Sequence, residues 1–205
     1  VNVICEDRKN PDLLFLGNDA GLYISLDAGR NWESFLGNIP SIMVRDLTVQ
    51  PRENDLVVGT YGRGAWITDI SPLQQFTAEV QKSDFYLFDI EPKPKLNYSQ
   101  QAIWGNYQMT GSAHLRTSNE PNGMEIWYYF SSADKSTATL TVSHETGKEL
   151  FRKNVPHIEG IRKLYWDTER AIPGKYSVTL EWKGKKIVKD AVVKERWFWP
   201  VLNYR

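Results

Sequence analysis

The sequence predicts an all-β chain in two parts, and three observations carry that prediction. Residues 12–17 and 21–27, Asp-Leu-Leu-Phe-Leu-Gly and Gly-Leu-Tyr-Ile-Ser-Leu-Asp, return as 55–59 and 64–69, Asp-Leu-Val-Val-Gly and Gly-Ala-Trp-Ile-Thr-Asp. A polar, proline-containing turn precedes each copy, at 9–11 and at 51–54, and such turns end one strand and start the next. From residue 84 onward, short runs alternate apolar with polar residues between Gly- and Pro-bearing turns, the pattern of half-buried strands.

In the first copy the strands are expected over 1–6, 13–18, 22–26 and 32–36, and in the second over 44–49, 56–61 and 65–70. The offset of about forty-two residues lies within the ~40–50 of a β-propeller blade. The two copies set the first region, 1–83. After the second copy a short helix is expected over 71–80, with Ser71 as cap, Pro72 at its first position, and Leu73, Phe76 and Val80 on one face. Two blades cannot close a propeller, which needs at least about four. The remaining blades are therefore expected as partners, on the same precursor or on another chain. An opening in mid-strand without Met, charged leader or apolar run agrees with that.

Between strands three and four of the first copy stands Ser25-Leu26-Asp27-Ala28-Gly29-Arg30-Asn31-Trp32. Ser25 and Asp27 can hydrogen-bond the turn backbone, Gly29 can take positive φ, and Trp32 returns a ring to the sheet. The form Ser-x-Asp-x-Gly-x-x-Trp resembles the Asp-box, or BNR repeat, that joins the outer strands of a propeller blade. With 44–47, 51–57 and 59–67 added, residues 1–75 resemble the closing blades of bacterial secreted proteins with a sortilin-type propeller, often labelled glycosyl-hydrolase-like. Tyr61 stands where that family commonly has His, so a catalytic role of that His could not pass to this chain.

The second part begins with a strand over 85–90 and an extended proline-stiffened linker over 91–95, so that 84–95 joins the regions. A polar aromatic loop over 98–114 follows. Strands are expected over 125–130, 138–142, 162–166, 174–180 and 187–193, which make a β-sandwich of immunoglobulin-like size over 96–205. Segments 126–130, 160–167 and 173–180 resemble FlgD-like and other bacterial immunoglobulin-like modules. The combined resemblance implies a secreted, periplasmic or cell-surface protein.

Composition restricts function. Twenty-five basic residues balance twenty-five acidic ones, which leaves no field for nucleic acid, and no apolar run approaches a membrane span. Cys5, in a strand, is the only cysteine. His114, His144 and His157 are scattered and read as surface or loop residues, so neither metal nor cofactor is expected. The glycines of 59–64 lead into a strand and not a helix, which argues against a phosphate loop. A glycosidase needs two carboxylates across one bond. Asp46, Glu53, Asp55 and Asp69 are each explained by turns or solvated faces. Trp32, Trp66, Trp127 and Trp166 occupy strand positions and read as core, whereas Trp197 and Trp199 of the C-terminal tail are candidates for exposure.

The expectation is a non-catalytic module that binds a glycan, peptide or protein partner, or serves as scaffold, with Tyr61, Arg63, Trp197 and Trp199 as candidate contacts. The alternative is part of a glycoside hydrolase, sialidase-like or other, whose catalytic carboxylates lie on blades outside this chain.

Overall fold

A computed structural model describes residues 1–35, 39–94 and 123–195. The described residues are all-β apart from two single-turn helices, and the chain divides into two compact units, Val1–Asp84 and Phe85–Arg205.

The first unit holds two antiparallel meanders. One is β1 (Val3–Glu6), β2 (Leu14–Gly17), β3 (Leu22–Ser25) and β4 (Glu33–Ser34), and the other is β5 (Val44–Gln50), β6 (Asp55–Thr60) and β7 (Ala65–Asp69). Strand side chains alternate between faces. Leu22 and Ile24 are therefore buried together, and with Leu13 and Phe15 they join Val44, Leu47, Leu56, Val58 and Ile70 of the second sheet and its flank in one core. The repeat extends to turn chemistry. Asp7 Oδ1 accepts from the N–H groups of Lys9 (2.9 Å) and Asn10 (2.8 Å), and Gln50 Oε1 accepts from those of Arg52 (2.9 Å) and Glu53 (2.7 Å). In both copies one side chain thus closes the turn between the first and second strands from the same position.

The expected helix over 71–80 is two helices, α1 (Ser71–Gln74) and α2 (Ala78–Gln81). Ile70 stands at the N-cap of α1, while the Ser71 hydroxyl donates to Asp69 Oδ1 at 2.5 Å. Thr77 breaks the run because its hydroxyl accepts from Val80 N–H at 3.5 Å, which starts a new helix. Gln74 of α1 donates to the buried Asp7 at 2.7 Å and so ties the helix to the first turn.

The second unit comprises β8 (Phe85–Leu87), β9 (Lys93–Pro94), β10 (Gly123–Phe130), β11 (Thr137–His144), β12 (Glu149–Pro156), β13 (Gly160–Asp167), β14 (Gly174–Trp182) and β15 (Lys185–Lys194). They form sheets of order β13-β10-β8 and β12-β11-β14-β15-β9, antiparallel except for the β15–β9 pair. Met124, Ile126, Tyr128 and Phe130 from β10 share one core with Ala138, Leu140 and Val142 from β11 and Tyr176, Val178, Leu180 and Trp182 from β14.

Three expectations change here. The linker over 91–95 contributes Lys93 and Pro94 to a sheet edge, where proline loses no needed donor. β12 was not expected, because Glu-Leu-Phe-Arg-Lys-Asn-Val-Pro on a sheet edge buries only Val155 fully and so lacks alternation. Trp127 lies on the face of β10 opposite the core residues, with Lys163 Nζ 4.7 Å from its ring. The expected loop over 98–114, which includes His114, lies outside the described residues.

Candidate functional site

Two stretches singled out by sequence lie in the first unit, and both are turns. In the turn after β3, Ser25 Oγ donates to Asp27 Oδ1 (2.8 Å) and accepts from Gly29 N–H (2.9 Å). Asn31 donates to Asp27 from its backbone (2.8 Å) and its side chain (2.6 Å), and the Trp32 indole donates to the Gly29 carbonyl (3.1 Å). Gly29 takes φ +82, and a Cβ there would lie 3.7 Å from the Trp32 ring, so backbone conformation and not space makes glycine fit. Ser25 is buried, and the side chains of Ser25, Asp27, Asn31 and Trp32 all bond within the turn.

The same bonds depress the Asp27 pKa to about 2, the Asn31 backbone N–H contributing most, then the Asn31 side chain, then Ser25. A carboxyl with a depressed folded pKa stabilises the fold above its unfolded pKa, and that contribution is lost as pH falls through the folded value. Asp27→Asn is therefore expected to melt below the wild type at pH 6. The gap should narrow from pH 4 downward and close near pH 2. A gap independent of pH would show that the carboxylate charge does not hold the turn.

The second stretch is the loop between β6 and β7. Thr60 donates to the Gly64 carbonyl from N–H (3.1 Å) and hydroxyl (2.6 Å), and Gly62 and Gly64 have φ of +83 and +68. This closure presents Tyr61, 68% exposed, at the tip. Arg45 is an extra residue in the β5 register between Val44 and Asp46, and its guanidinium carbon stands 5.4 Å from the centre of the Tyr61 ring. Bulges re-aim side chains, and this one brings a cation against the ring. Arg63 is exposed beside it.

The two stretches do not meet. Val44 N–H donates to Asn18 O and Tyr61 N–H to Met43 O, which puts the loop over 59–64 at the end of the sheets where the 18–21 turn lies. The Asp27 turn follows the other end of β3. Of the carboxylates weighed from the sequence, Asp46 accepts from Leu47 N–H, Glu53 pairs with Arg52, and Asp69 accepts from Ser71. Trp197 and Trp199 lie outside the described residues. Among the described residues no group of three His, Cys, Asp or Glu side chains is placed to hold a metal ion, and no helix is long and apolar enough to cross a membrane.

Sequence reading missed one cluster. His157, expected at the surface, is 2% exposed; its ring lies 4.3 Å from Phe130 and 4.5 Å from Trp182. Its Nδ1 is 2.9 Å from Asp134 Oδ1 but without hydrogen-bond alignment, and Nε2 has no partner among the described residues. Asp134 also accepts from Ser136 N–H (2.5 Å) and faces Lys183 (3.0 Å); the Ser136 side chain first and then His157, with these two contacts behind them, keep its carboxyl well below the usual range. Trp182 donates to Ser136 Oγ at 2.8 Å. Two loops and the β14–β15 turn are thereby held together, a role that a lone histidine in a sequence does not announce. His144 keeps to the strand end, where it meets Thr146 (3.0 Å) and Tyr176. Comparison with protein-family models, with curated proteins and with solved structures finds no match for this chain.

Proposed function

We propose that the chain is a non-catalytic binding portion of a secreted or cell-surface β-propeller protein. In this reading Val1–Asp84 forms two blades, Phe85–Arg205 forms an immunoglobulin-like sandwich, and the remaining blades come from the same precursor or another chain. The matched turn-closing by Asp7 and Gln50, and the core shared by two meanders, support the blades. The sandwich is supported by two sheets around one core and by the Tyr176 hydroxyl, which donates to Ile172 O at 2.6 Å, the tether of a tyrosine corner. The bacterial sortilin-type resemblance supplies the localisation.

The observation that carries a binding role is Tyr61, held out by a glycine-hinged loop with Arg45 behind it and Arg63 beside it. A ring of this kind stacks on a sugar or on a peptide side chain, and the guanidinium groups donate to carboxylates and hydroxyls. Titration of the chain with glycan and peptide panels is expected to find a ligand whose affinity falls about tenfold or more with Tyr61→Ala, and less with Arg63→Ala. Binding untouched by either substitution would remove the loop from the site. Hydrolysis of a panel glycan by this chain would replace the binding reading with the glycosidase one.

A further inference from the structure

We draw no further inference here: the strongest candidate, the side-chain cluster of Glu125, Trp127, Lys163 and Tyr165 on the face of β10 and β13 turned away from the core, has its two charges paired with each other at 3.2 Å and the Lys163 ammonium over both rings, and nothing in the structure shows what covers it.

Discussion

Phe130→Ala is expected to destabilise the Phe85–Arg205 unit by about 3–5 kcal/mol, the range for removing a fully buried phenylalanine. Phe130 ends β10, the middle strand of the three-stranded sheet, and is 0% exposed. Its ring is stacked on Phe85 with centroids 6.2 Å apart, meets Trp182 edge-on at 5.9 Å, and lies against Tyr128 and His157. Alanine would leave a cavity bounded by large rings that strand backbone holds in place, so collapse into it would be poor. The buried His157 ring would lose its closest aromatic neighbour as well. Phe130→Leu, which keeps most of the volume, is expected to cost less than about half as much. Urea unfolding followed by tryptophan fluorescence measures both, and a loss below about 1 kcal/mol for the alanine variant would mean that Phe130 is not a centre of this core.

The elements legible in sequence were those whose pattern is local. Val57 and Val58 between Asp55 and Gly59, or Thr139, Leu140, Thr141 and Val142, state a strand because alternate residues differ in burial. The Asp27 turn was equally legible, since its bonds join residues at most four apart. What escaped depends on partners distant in sequence. β12 is a strand because β11 presents a ladder to it, from Thr137 opposite Pro156 to Ser143 opposite Glu149. His157 is buried because Phe130, Trp182 and Asp134 converge on it from three other segments. The Arg45–Tyr61 contact needed the bulge between Val44 and Asp46, which no residue type at that position signals. Tyr61 and Arg63 were legible as loop residues, but the cation behind the ring was not.

Phe15→Ala is expected to destabilise the first unit by about 3–5 kcal/mol, and its interest lies in where the loosening should spread. Phe15 is 0% exposed on β2, and Phe35 meets its ring edge-on at 6.2 Å. Its core pools side chains of both meanders: Leu22 and Ile24 from β3, Val44 and Leu47 from β5, Leu56 and Val58 from β6. Neither sheet has the means to bury this face alone, because each is a narrow antiparallel layer and the buried apolar residues of both gather in one cluster. A cavity at Phe15 should therefore raise amide exchange at Leu56 and Val58, more than forty positions away in sequence, as much as at Leu22 and Ile24. If protection fell in the first meander alone, the two sheets would be separate layers in contact, and the shared core that underlies the two-blade reading would be lost.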